Sequence, residues 1–218
     1  MSDRQASAPC SDALAALLAQ RQTVLPRRLG APGPDAGQLR TILDAARHAP
    51  DHERLLPWRF ILVPQDARAA LGQAFAQALL ERDAQAGTEE QQRARDKAQR
   101  APVLLLAVVD EAACDAAVPP AERILSAGCA VQNLLLMATA LGFGSALTSG
   151  QALQSRALRQ LFALTQSERA LCFINIGSVL SRKPPRERPA LERYTSVLAP
   201  GRDALPLSQL FFPQNHEH

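Results

Sequence analysis

The stretch PPAERILSAGCAVQNLLLMATALGFG, residues 119–144, decides how the rest of the chain is read. Its pattern predicts a helix from Pro119 to Leu141, the longest in the sequence, and from Ala127 to Ala140 that helix is apolar nearly all round. A helix without a polar face is central to its domain or buried between subunits. Gly142 is placed to end it as the residue just past the helix. Phe143 to Leu147 then reads as a short strand.

Working outward, Val103–Val109 is a continuous apolar run of strand length, which predicts a buried strand. Trp58–Val63 and Leu171–Val179 read as two more strands, and Ser155–Phe162 as a short helix. Ser11 is expected to cap a first helix carrying Leu14, Leu17 and Leu18 and ending near Arg21. The segment from Pro26 to Pro34 holds three prolines and two glycines and reads as a loop. Asp35 with Gln38 forms a capping box for a second helix with Leu39, Ile42, Leu43 and Ala46 on one face, stopped by Pro50. Asp66 is expected to cap a third helix, and Thr88 with Gln91 repeats the capping-box pattern. The charged run that follows, to Arg100, has few large apolar residues and reads as a surface helix or a mobile cover. Strands and helices do not alternate regularly, so a doubly wound sheet is a poor fit. The expectation is a single α+β domain over residues 11–180, with about four strands and long helices. Residues 1–10 read as a flexible leader, and 181–218 as a tail. That tail carries Leu191, Tyr194, Val197, Leu205, Leu207, Leu210, Phe211 and Phe212, which should dock on its own domain or on a partner subunit.

Composition narrows the function. The chain has 218 residues and is 47% hydrophobic, enough for one domain that buries roughly 70% of its unfolded surface. A net charge of +3 argues against a dedicated nucleic-acid binder. No transmembrane helix and no secretory signal are expected. Cys10, Cys114, Cys129 and Cys172 form no CxxC pair, which disfavours a zinc or thiol redox centre and suits a reducing cytoplasm. Of 24 basic residues, 22 are arginines. Most reflect composition, but arginine is also the side chain that grips phosphate bidentately.

Individual motifs exclude more than they assign. Gly142-Phe-Gly144 lacks the third glycine of a nucleotide loop and precedes a strand rather than a helix. His48 and His52 are four apart, but Pro50 between them breaks the helix that a metal pair would need. They either donate to a phosphate or a cofactor carbonyl, or are solvated turn residues; the residues alone leave both open. Ser145, Thr148, Ser149 and Ser178 show no nucleophile-elbow pattern.

Taken in order, the landmarks resemble the nitroreductase family of flavoproteins, most closely its compact bacterial NAD(P)H nitroreductase subgroup. They are Arg21-Gln22-Thr23, Ala49-Pro50-Asp51-His52, Pro57 to Phe60, Ala101-Pro102, Ser126 to Asn133, Leu141 to Gly144, and Ile176-Gly177. The resemblance covers about residues 11–180. It implies an α+β nitroreductase-like fold: a central, mostly antiparallel sheet flanked by long helices, in an intertwined homodimer. It also implies one FMN per subunit at the dimer interface. The long helix would then be interface and the tail would embrace the other subunit. The implied chemistry is ping-pong hydride transfer from NAD(P)H through FMN to a nitroaromatic, a quinone or another small electron acceptor. No catalytic side chain and no metal are implied, since the flavin carries the chemistry.

The implied cofactor-binding residues are Arg21, Gln22 and Thr23 for the phosphate and ribityl, His48 and His52 in the proline turn, and Leu147, Thr148 and Ser149 after the Gly-Phe-Gly strand. Three departures stand out. Gln22 replaces a second arginine, His48 replaces an arginine, and Leu147-Thr148 replaces Trp-Arg. Each lost charge-assisted bond is worth ~1.5–3 kcal/mol. Arg27, Arg28 or Arg54 are candidates to compensate. Two alternatives stay open: a scaffold with an eroded flavin site acting as a binding or regulatory protein, and a flavoprotein of changed chemistry, such as dehalogenation.

Overall fold

The computed structural model describes residues 8–112, 117–184, 187–201 and 203–206. It divides into two units, Met1–Arg182 and Lys183–His218.

In the first unit the elements are α1 (Ala8–Gln20), β1 (Leu29–Gly30), α2 (Ala36–Asp44), β2 (Trp58–Leu62), α3 (Arg68–Arg82), α4 (Thr88–Asp96), β3 (Val103–Asp110), α5 (Pro120–Ala140), β4 (Gly144–Thr148), α6 (Arg156–Leu161) and β5 (Glu168–Val179). The strands form one antiparallel sheet in the order β1-β5-β3-β2, with β4 also paired to β5. This is an α+β sheet flanked by helices, as expected. β3 sits inside the sheet and is buried along Val103–Val109, because both its faces are covered.

The two larger cores among the described residues lie against the two faces of the sheet. On one face α5 and α2 pack Leu134, Ala138 and Ile42 onto Leu105, Ile174 and Ile176. On the other, Leu71 of α3 and Leu158 of α6 pack onto Leu104, Leu106 and Phe173. The alternation of Leu104 and Leu106 against Leu105 along β3 sends successive side chains to opposite faces.

Several local expectations hold in atomic detail. Asp35 and Gln38 form the reciprocal capping box, with bonds of 2.8 and 3.0 Å. α5 ends where Gly142 takes φ +86°, and the amides of Gly142 and Phe143 donate to the carbonyls of Thr139 and Ala138. That pair of bonds is a Schellman ending, which a glycine adopts without strain. α5 is long and apolar enough to cross a membrane by length and composition alone, and half of that apolar window is buried inside this fold. A core helix passes the same test.

Other expectations are corrected. α1 begins at Ala8, so Ser11 lies within the helix rather than capping it. Residues 1–7 of the expected leader lie outside the described residues. Asp66 falls inside a 3-10 turn, Gln65–Ala67, and makes no capping bond to α3. The box expected from Thr88 starts one residue earlier: the Glu90 carboxylate accepts the Gly87 amide at 3.0 Å. Part of the segment read as a loop forms β1, whose Leu29 and Gly30 pair with Val179 and Ser178. Two residues are too few for a periodicity to reveal. β5 starts at Glu168, earlier than expected, because its backbone pairs with β3 as far as Asp110; the Thr165 amide and Arg59 also donate to the Glu168 carboxylate.

Among its described residues the second unit holds a short 3-10 turn, Leu191–Arg193, and a bridge between Val197 and Leu205. Tyr194 and Leu198 are exposed. Leu207, Leu210, Phe211 and Phe212 of the apolar tail lie outside the described residues, as does Cys114.

Candidate functional site: a cation-rimmed cleft beside β4

A cleft of about 700 Å³ opens between α3 and α4 on one side and the end of β4 on the other. Its floor is apolar, built from Phe75, Ala78, Leu104 and Phe173. Phe75 meets Phe173 edge-on, with ring centroids 5.4 Å apart. Its rim is cationic, with Arg82, Arg93, Lys97 and Arg100, against one carboxylate among the described residues, that of Glu90. Arg93 pairs with Glu89 at 2.7 Å, and Arg82 donates to Gln151 Oε1 at 2.9 Å. Among the described residues the Lys97 and Arg100 side chains hold no ion pair or hydrogen bond. An apolar floor under a positive rim suits an aromatic molecule carrying negative charge.

The positive wall is set in place by packing. α4 docks on α3 where Gly72 allows it: a Cβ there would lie 3.1 Å from the Arg95 carbonyl oxygen. Ala94 and Ala98 are buried behind the rim. The charged run read as a surface helix or a mobile cover is thus one wall of the cleft. Arg68, only 2% exposed, locks the turn beyond α4. Its guanidinium donates to the carbonyls of Val63 (2.9 Å), Ala98 (2.6 Å), Ala101 (3.3 Å) and Pro102 (3.2 Å). Burial pushes the Arg68 pKa below its ordinary value. Four carbonyl partners offset the loss of water around the charge.

The residues expected at the site fall into separate places. Thr148 and Ser149 line the cleft, beside Gly150. Leu147 is 44% exposed and pairs with Ile174, whose side chain lies in the α5 core, so the Leu147 side chain is on that same α5 face of the sheet and not on the cleft side. Arg21, Gln22 and Thr23 follow α1, and Thr23 bridges to Ser145 of β4. The next residues run to Pro26, which lines the cleft. His48 ends a 3-10 turn after α2, and His52 Nδ1 lies 3.2 Å from Glu122 Oε2 of α5. Neither histidine lines the cleft. Arg27, Arg28 and Arg54, the candidates to compensate for missing arginines, do not line it either. Arg82, Arg93, Lys97 and Arg100 went unassigned in the sequence. Their one signal is the spacing of 93, 97 and 100, which repeats at helical intervals on one side of α4 and the turn beyond it.

The turn that carries His52 is strained. Glu53, Arg54 and Leu56 have φ of 50°, 60° and 45°. Side chains other than glycine rarely adopt such values, and strain of this kind clusters at functional sites. Asp51 Oδ2 accepts the Leu56 amide at 2.7 Å and so holds the turn. Asp51 Oδ1 and Ser145 Oγ are, among the described residues, the buried side-chain polar atoms without a partner. One is adjacent to His52 and the other opposes Thr23. An unpaired buried polar atom costs ~1–3 kcal/mol unless something else satisfies it. Among the described residues no group of three metal-ligating side chains could hold an ion. Burial raises the Cys172 thiol pKa to about 11, which keeps it protonated and inert.

This architecture and cleft define a class of protein, and comparison with known proteins gives the family. The model of the nitroreductase family matches residues 18–178. A Haemophilus influenzae protein, provisionally named an NAD(P)H nitroreductase, is 34% identical over 171 residues, which is 78% of this chain and 90% of that protein. A nitroreductase-like family protein from Bacillus cereus superposes with TM-score 0.74 at 19% identity, covering 85% of this chain and 95% of the other. A structure from Desulfovibrio desulfuricans, described as a nitroreductase in complex with FMN, superposes with TM-score 0.63 at 24% identity, covering 86% and 98%. The chain belongs to the nitroreductase family.

Proposed function

We propose that this chain is an FMN-dependent oxidoreductase that uses NAD(P)H to reduce nitroaromatic, quinone or related small acceptors, as a homodimer in the cytoplasm. The observation that carries the reading is the cleft, where an apolar floor and a positive rim meet Thr148, Ser149 and Gly150. Family membership, and a relative that covers most of its length, support the same chemistry. The donor set fits a phosphorylated aromatic cofactor, and the unpartnered Asp51 Oδ1 and Ser145 Oγ leave polar positions for it or for a second subunit.

FMN, when bound, supplies the two-electron relay between NAD(P)H and the acceptor, in ping-pong order. The chain's own residues bind, orient and exclude water. Arg21, Gln22 and Thr23 hold the phosphate and ribityl. Thr148 and Ser149 border the ring, and Lys97 and Arg100 supply the positive charge that Gln22, His48 and Thr148 do not. His48 and His52 lie away from the cleft of their own subunit, so they act on the site of the other copy. The exposed side of α5, with Leu125 at 68% exposure, is the surface that brings the copies together.

An absorbance spectrum of the purified protein, before and after added FMN, tests this reading. Yellow protein with flavin bands is expected, with NAD(P)H oxidation once menadione or a nitrofuran is supplied. Colourless protein that takes up no FMN at high micromolar concentration overturns it. Flavin uptake without turnover leaves the scaffold alternative in its place. Within the site, Arg21→Ala should weaken FMN binding and leave the fold intact.

A further inference from the structure

Asn175 is a polar side chain in the middle of β5, only 3% exposed. It faces Ala146 in the register of β4 and β5, which puts it diagonally across from Thr148 on the same face of the sheet. Its Nδ2 lies 3.3 Å from the Ala146 carbonyl oxygen and 3.0 Å from Thr148 Oγ1. The orientation of an amide is settled by its partners. A carbonyl oxygen can only accept, so the atom facing Ala146 is the amide nitrogen. The second hydrogen of that nitrogen goes to Thr148, whose hydroxyl is therefore an acceptor in this pair. The hydroxyl keeps one hydrogen to donate, and among the described residues nothing accepts it. Thr148 lines the cleft.

We infer that Asn175 is a positioning residue, which holds the Thr148 hydroxyl as a neutral hydrogen-bond donor toward the occupant of the cleft. The inference rests on the reading of the cleft as the FMN site. A free hydroxyl rotates and can offer either its hydrogen or a lone pair. With one lone pair occupied by Asn175, Thr148 meets an electron-rich edge of the cofactor with the hydrogen already aimed. Thr148 thereby supplies direction without charge, and the charge comes from Lys97 and Arg100 across the cleft.

The test is an FMN dissociation constant, read from flavin fluorescence, for the wild-type chain and for T148V, T148S, N175L and the double variant T148V/N175L. A neutral hydrogen bond predicts a loss of about fivefold for T148V, with T148S restoring wild-type affinity. N175L should lose a comparable factor, and the double variant no more than T148V alone, since both act through one bond. N175D adds a second reading: its carboxylate would draw the Thr148 hydrogen away from the cleft and weaken FMN further than N175L does. Losses that multiply in the double variant, or unchanged FMN affinity with only a lower melting temperature in the Asn175 variants, overturn the inference. T148V replaces a half-buried residue, so it decides the matter even where an Asn175 variant fails to fold; unchanged affinity in T148V overturns the inference by itself. Absence of FMN uptake by the wild-type chain overturns the functional reading together with this one. Uptake with unaltered affinity in the variants overturns only this one.

Discussion

The two faces of the sheet carry similar cores and different surfaces. Behind α5 and α2 the core is aliphatic, and the outer side of α5 shows Leu125 to solvent while His52 meets Glu122 at its start. Behind α3 and α6 the core opens into the cleft, and the helix that bounds it, α4, is among the most highly charged parts of the chain. Residues of one expected site are shared between these faces. Thr148 and Ser149 belong to the cleft, while His48 and His52 belong to the α5 side. The chain therefore presents the cleft on one face and an apolar, histidine-bearing surface on the other. The proposed homodimer would join the second surface of one copy to the first of another.

Substitutions can break or sharpen this contrast. The largest effect is expected in the cores themselves. Leu134→Ala on the α5 face and Leu71→Ala on the α3 face, both fully buried, should each cost about 3 kcal/mol in urea unfolding. A much smaller cost on one side would mean that the faces do not share the load of folding. Arg68→Met comes next. It strands the four carbonyls that Arg68 serves, and should cost about 2 kcal/mol while loosening the segment that carries Lys97 and Arg100. FMN affinity should fall with it, and wild-type affinity in a stable Arg68→Met protein would separate Arg68 from the cleft.

Lys97→Ala and Arg100→Ala should each weaken FMN binding about tenfold, with little change in unfolding free energy, because both side chains are exposed. Added salt should shrink that difference. Leu125→Glu on the opposite surface should shift the elution volume of the protein from dimer to monomer and leave its helical circular dichroism intact. Unaltered elution would move the interface elsewhere.

The smallest effect concerns Arg59 and Glu168, which clasp β2 to β5 across β3 at 2.6 Å. The Arg59 guanidinium holds the Glu168 carboxyl below its ordinary range, against the opposing effect of burial. A carboxylate whose folded pKa is lowered adds stability above its unfolded value. That stability is lost as pH falls through the lower folded value. Glu168→Gln should thus cost up to about 1 kcal/mol at neutral pH, since Arg59 is half-exposed and screened, and progressively less below about pH 4.5. An equal cost at pH 3 and pH 7 would assign the effect to shape rather than charge.

Much of the fold was legible because its signals are local. Asp35 and Gln38 sit three residues apart and cap their own helix. Gly142 follows the last periodic residue of α5, and the apolar run Val103–Val109 has the length and continuity of a buried strand. β1 escaped because two residues show no period, and Ser11 misled because a helix can begin before its first good cap. The site was legible only in part. Thr148 and Ser149, which line the cleft, were named only through the family resemblance, from their position after the Gly-Phe-Gly strand. The cations of the rim sit on a charged stretch that, in sequence, looks like any solvated surface.

What the sequence determined by itself was the order of the elements, the faces they bury and the family landmarks, since hydrophobic period, caps and turn residues act within a few positions of one another. The tertiary structure alone decided which charges face the cleft, which carbonyls Arg68 serves, and that Asn175 reaches Thr148 from a neighbouring strand. Apart from the bond from Arg68 to Val63, those are meetings of residues 27 or more positions apart, or the facing of an exposed charge. No local pattern encodes them, because they depend on how whole helices and strands pack.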